Sequence, residues 1–238
     1  MEHEHSPEAI RERLAAGPRT SYLRDWVYGG IDGSVTTFAI VSGVVGASLP
    51  PATILILGAA NLVADGFSMA AGNYSATRTE AEELRTVRAV EERHVARNPE
   101  GEREEVRQLL AAKGLSGAEL DAMVELTTAD RRRWIDFMLI EEYGLSLQTR
   151  PAVAAALATF SAFILCGVVP LLPFLFRVES AFIVSIVLTM TVFFAIGSTK
   201  ARWLTTPWWR AGLETLAIGA LASALAYAVG VALKGIQT

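Results

Sequence analysis

One cysteine and three histidines in 238 residues leave little material for metal sites built from thiolates and imidazoles. Cys166 alone excludes an internal disulfide and any cysteine-based zinc site. The GxxxxGK[ST] loop that cradles nucleotide phosphates is absent, which argues against an ATP-driven pump. The first 20 residues contain no apolar h-region, so no cleavable signal peptide is expected, and the first apolar run has to act as an uncleaved anchor. Positive charge is not in excess either. The net charge is −4, and between Arg78 and Arg150 there are 12 basic residues against 16 acidic ones, a balance that speaks against a nucleic-acid partner. Internal repeats and low-complexity tracts are missing as well.

What the chain does have is apolar length. At 52% apolar residues and a mean hydropathy of +0.35, it is too apolar for an ordinary soluble domain. Its charges are segregated. Apolar runs long enough to cross a bilayer cover residues 26–49, 52–74, 151–176, 180–199 and 211–233, and between the second and third lies a hydrophilic, carboxylate-rich island. The reading is an all-α polytopic membrane protein. A polar N-terminal arm occupies residues 1–25, two spans 26–74, a helical island 75–149, and three spans 150–238. In the arm, Pro7 opens a short helix that Gly17-Pro18 ends, and His3 and His5 alternate with glutamates in what reads as a loose terminus. Trp203, Trp208 and Trp209 cluster between the last two spans, where an aromatic belt is expected.

Basic residues set the orientation. The arm carries Arg11, Arg13, Arg19 and Arg24, the stretch from Arg78 to Arg150 twelve, and the connection between the last spans Lys200, Arg202 and Arg210; the opposite side has only Arg177 and Lys234. The positive-inside rule then puts the N-terminus and island in the cytosol and the C-terminus outside.

Inside the island three helices are predicted. The second span runs on through about Arg97, because no helix breaker precedes Asn98-Pro99. A second helix covers Glu100–Lys113, and a third starts at a Ser116/Glu119 capping box and runs to about Tyr143. Val106, Leu109 and Leu110 are expected to pack on Leu120, Met123 and Val124. Glu91 and His94, and also Glu102 and Glu105, are i, i+3 pairs, while Met138 and Glu142 are an i, i+4 pair. Converged, they make an oxygen-rich set with one imidazole and one thioether, suited to Fe²⁺ or Mn²⁺. The competing reading is a solvated charged face. A ferritin-type centre needs two Glu-x-x-His motifs, and His94 is the island's single histidine.

In the membrane runs, Asp32 and Asp65 are costly charges and therefore functional candidates. Asn61, Asp65 and Met69 fall at i, i+4 and i+8, on one helix face, where they could line a cation path. The alternative is that the Asp-Gly pairs mark helix irregularities and Met69 only packs. Glu214 is expected to pair with Arg210 at the surface, and Gly29/Gly33 to permit close helix approach.

Three stretches are familiar: DGSVTTFAIVSGVVGA at 32–47, GAANLVADGFSMAAGNYSATRTEAE at 58–82 and WIDFMLIEEYGL at 134–145. They resemble the vacuolar iron transporter family, and the likeness runs from Trp26 to Leu233. The resemblance implies a five-span homodimer in which a three-helix cytosolic domain captures the metal. The dimer would export Fe²⁺, and often Mn²⁺, from the cytosol in exchange for protons. Asp32 and Met69 match translocation-path residues; Glu91, Glu102, Glu105 and Glu142 match metal-binding carboxylates, and Met138 a methionine of the same cluster. His94 stands where the plant proteins have a glutamate, Leu139 where they have a second methionine, and Asn61 in place of a second-span carboxylate, with Asp65 one turn along. These departures bear on metal preference. The expectation is a secondary metal/proton antiporter of the bacterial inner membrane with no permanently bound cofactor, carrying Fe²⁺ or Mn²⁺, with Co²⁺ and Zn²⁺ also compatible with the ligands. The alternatives are a membrane-anchored iron store or sensor that transports nothing, and a metal-dependent enzyme that oxidises Fe²⁺ at the island.

Overall fold

A computed structural model describes residues 4–17, 20–201 and 205–237. His3, Arg19, Arg202 and Trp203 lie outside the described residues. The described chain is helical, with no strand among the described residues. It runs α1 (Pro7–Ala16), α2 (Leu23–Gly46), α3 (Pro51–Arg97), α4 (Pro99–Ala112), α5 (Gly117–Thr128), α6 (Arg131–Glu141), α7 (Ala152–Gly167), α8 (Leu172–Leu175), α9 (Ala181–Lys200) and α10 (Trp208–Leu233). Five stretches are long and apolar enough to cross a membrane: α2, α3, residues Ala152–Leu175, α9 and α10. Two compact units emerge, Met1–Tyr74 with Val153–Thr238, and Ser75–Ala152.

In the first unit α10 packs along both α9 and α2, and α2 also meets α9. Lipid tails supply no hydrophobic drive between helices, so such contacts depend on small residues and close backbones. A methyl group placed on Gly29 or Gly33 would lie 2.3 Å from the carbonyl oxygen of Thr159 or Phe163. The close approach expected of this pair is therefore made with α7 of the same chain. Gly230 likewise sits against the backbone of Gly43. Around these contacts Phe38, Val41, Ile54, Leu62 and Phe163 form the apolar core, and Phe38, Phe182 and Tyr227 stack in series.

The third predicted span is interrupted. Helix α7 stops at Gly167, a 3-10 turn covers Val169–Leu171, and α8 resumes for one turn. Pro170 and Pro173 remove two helical donors. Ser185 of α9 donates to the Pro170 carbonyl at 2.7 Å, satisfying a group that lipid cannot. Glu214 also departs from expectation: it lies 3.7 Å from Lys200, while Arg210 stacks over the Trp209 ring.

The second unit comprises the C-terminal part of α3 with α4, α5 and α6, so the island holds four helices where three were predicted. The predicted third helix is broken at Asp130, whose side chain accepts from the Arg133 amide at 2.8 Å and caps α6. At the start of α5, Ser116 occupies the N-cap position without a side-chain capping bond. Val106, Leu110, Val124, Trp134, Ile135, Met138 and Leu139 form the unit's core, with Leu109 and Leu120 packed against it. Met123, expected in that core, is exposed instead. Ion pairs Lys113–Glu141 (2.6 Å) and Arg88–Asp136 tie α4 and α3 to α6.

Candidate metal-binding site

The sharp turn between α3 and α4 builds the site. Pro99 opens α4 and Asn98 caps it, accepting from the Gly101 amide at 3.1 Å. The reversal returns Glu102, in the first turn of α4, to the end of α3, where Glu91 and His94 share a face. One ligand atom each from Glu91, His94 and Glu102 lies within 4.8 Å of the others. Nδ1 of His94 is 3.4 Å from Oε1 of Glu91 and 3.5 Å from Oε1 of Glu102.

The environment of this trio is unusual for surface charge. The Glu91 and Glu102 side chains are 1% and 7% exposed, whereas His94 is half exposed. Oε2 of each glutamate is buried without a hydrogen-bond partner. Two carboxylates held together away from water, each with an idle oxygen, carry a desolvation cost that a bound cation offsets. Burial raises the Glu102 carboxyl to about 7, helped by the charges of Glu105 and Glu91 and opposed by His94. Glu142 is also raised, by burial first and then by Glu91 and Glu105. Glu105 and Glu142 thus lie near enough to act on the trio electrostatically, although both are exposed and outside the group of three. Met138 is fully buried within the apolar core of the unit.

Tyr143 was not singled out from the sequence. Its hydroxyl donates to Oε1 of Glu91 at 3.0 Å. Burial and this bond push its phenol above the usual range. No spacing rule links residue 143 to residue 91, so only the packing of α6 on α3 discloses the pair.

In the membrane unit, Asp32, Asn61, Asp65 and Met69 are all partly buried. Asp65 is near enough for its charge to act on Asp32. Asn61 Nδ2 donates to Thr36 Oγ1 at 3.1 Å, and that hydroxyl donates to the Asp32 carbonyl, so Asn61 is tied to the Asp32 turn through Thr36. Met69 packs against the apolar core. A second polar knot escaped the sequence reading. Asn73 Nδ2 lies 3.0 Å from Asp25 Oδ1, 3.2 Å from the Ala155 carbonyl and 2.7 Å from Thr159 Oγ1, joining α3 to α2 and α7. The signal available was an acid at the mouth of the first span and an amide in the GNYS stretch of the second.

The model of the VIT family matches residues 23–231. The chain belongs to the VIT family. It is 30% identical to vacuolar iron transporter 1 of Oryza sativa subsp. japonica over 239 residues, covering 99% of this chain and 91% of that protein. Vacuolar iron transporter 1 of Tulipa gesneriana is 31% identical over 91% of this chain and 89% of its own. The vacuolar iron transporter of Toxoplasma gondii is 30% identical over 89% of this chain and 74% of its own. Family membership and the five candidate spans identify a membrane protein of a transporter family, not an enzyme family.

Proposed function

We propose that this chain is a proton-coupled exporter of a divalent transition metal, Fe²⁺ or Mn²⁺, acting as a homodimer in a bacterial inner membrane. The observation that carries the reading is the Glu91–His94–Glu102 trio with its two buried, unpartnered carboxylate oxygens. The names of the relatives support iron as cargo. Residues 75–149 form the cytosolic capturing domain, with Glu105, Glu142 and Met138 completing its donors. Asp32, Asn61, Asp65 and Met69 line the path across the membrane. A mixed carboxylate–imidazole set suits Fe²⁺, Mn²⁺, Co²⁺ and Zn²⁺ and lacks the thiolates that select Cu(I). Return of the empty path with protons is assigned to its carboxylates, which are too costly in a bilayer to be idle.

Proteoliposomes loaded with an Fe²⁺-quenched dye test this. Uptake driven by an imposed pH gradient is expected, with loss of most of the rate in Asp32→Ala. Equal transport by Asp32→Ala removes the assigned path, and indifference to collapsing the gradient removes proton coupling. Metal binding without any transport leaves the anchored-store reading in its place.

A further inference from the structure

Glu91 is a fully buried carboxylate on α3, and the group that fixes it comes from the far end of the same unit. Helix α6 closes with backbone bonds from Tyr143 to Met138 and from Leu145 to Leu139, and Gly144 takes a φ of +66°, a left-handed conformation that suits glycine. This closure sets the backbone of Tyr143, and from it the phenol reaches Oε1 of Glu91. Oε1 is also the oxygen facing Nδ1 of His94. One carboxylate oxygen therefore accepts from the phenol and faces the imidazole, in the group that Glu102 completes.

We propose that Tyr143 is a positioning residue for metal capture, its hydroxyl holding the Glu91 carboxylate in the orientation that joins His94 and Glu102 around one cation. This rests on the metal-capture reading given above. Tyr143 is 40% exposed, so its ring sits at the edge of the unit and not in its core. The hydroxyl has a buried acceptor: Oε2 of Glu91 has no partner, while Oε1 accepts from the phenol and faces the imidazole of His94. Free of that bond, the carboxylate can turn away from the imidazole, and the orientation has to be restored when metal arrives. Groups that hydrogen-bond a metal ligand from behind typically change affinity by about 10- to 100-fold when removed.

The experiment is Co²⁺ titration of the full-length protein in detergent, followed by the visible absorption of the bound ion, which reports coordination geometry. Four proteins are compared: the parent, Tyr143→Phe, Tyr143→Leu and Glu91→Gln. Tyr143→Phe is expected to bind Co²⁺ about 10- to 100-fold more weakly with an altered absorption band. Tyr143→Leu should lose as much, because the hydroxyl is what matters. Thermal unfolding without metal should be similar for the parent and Tyr143→Phe. Parent-like affinity and spectrum in Tyr143→Phe overturn the proposal, as does a loss confined to Tyr143→Leu, which would make the ring a packing element. If instead Glu91→Gln binds as the parent does, the capture site itself is misassigned and Tyr143 has nothing to position.

Discussion

Nδ1 of His94 faces Oε1 of Glu102 across 3.5 Å, joining the end of α3 to the first turn of α4. That pairing puts a nitrogen donor among carboxylates. Imidazole favours metals later in the divalent series, whereas an all-oxygen site is more hospitable to Mn²⁺. His94→Glu is therefore expected to shift the preference toward Mn²⁺ over Co²⁺ by about tenfold, equivalent to about 1.4 kcal/mol. Competitive titration of the two ions on parent and variant measures this, and an unchanged ratio would show that the imidazole does not set the preference.

Glu102 makes the metal-free protein sensitive to pH. Its carboxyl is raised from 4.5 to about 7 in the fold, chiefly by burial. Between those values the folded chain keeps a proton that the unfolded chain has released. The native state then binds more protons than the unfolded one, so stability falls as pH rises through this window, with a slope approaching one proton. The expected result is a lower unfolding temperature at pH 8 than at pH 5.5, read by tryptophan fluorescence. Glu102→Gln should flatten the dependence. Added Mn²⁺ should raise the unfolding temperature more at pH 8, because the cation takes the place of the proton. A pH profile in Glu102→Gln identical to the parent's would assign the effect elsewhere.

Tight packing of α2 on α7 gives a third prediction. Adding a methyl group at Gly33 puts carbon 2.3 Å from the Phe163 carbonyl, a backbone atom that cannot step aside. Gly33→Ala is expected to destabilise by about 1–3 kcal/mol through overpacking. Gly72, on α3, has nothing within 4 Å. Gly72→Ala should be neutral or stabilising by up to about 1 kcal/mol, as expected for replacing an open helical glycine. Thermal unfolding of both variants in one detergent compares them directly, and equal effects would remove close packing as the cause.

These examples separate what local pattern can carry from what it cannot. Uninterrupted apolar length located the spans, and the lack of a breaker before Asn98-Pro99 foretold an unbroken α3. The neighbourhood of Glu91, His94 and Glu102 was also readable, because two share a helix face and the third follows a proline-marked reversal. Long-range choices were not readable. Nothing in the spacing of Gly29 and Gly33 says that their partner is α7, and Glu214 had Arg210 one turn away yet meets Lys200. The break before α6 was missed because a helical apolar pattern continues across it, while the Asp130 cap decides locally. Tyr143 was invisible for the same reason as the glycine partners: its role exists only once α6 has packed on α3.

Asn73 offers the sharpest test of the membrane unit. Its amide nitrogen is surrounded by oxygens, from Asp25, the Ala155 carbonyl and Thr159, and the last two belong to the start of α7. Asp25 and Thr159 are buried, so water is a poor substitute for the lost donor. Asn73→Ala should cost about 1–3 kcal/mol, the usual penalty for removing one side of a buried hydrogen bond. Asn73→Asp keeps the shape but exchanges the donor for a second carboxylate oxygen beside Asp25. If donation is what matters, the near-isosteric change must be worse than truncation, because it adds repulsion between like charges to the loss of the bonds. Unfolding in detergent should therefore rank the parent above Asn73→Ala and Asn73→Asp last. Raising Asn73→Asp to the level of Asn73→Ala by lowering the pH would identify the added charge as the difference. An Asn73→Asp protein as stable as the parent would show that donation by the amide nitrogen does not stabilise the knot between α2, α3 and α7.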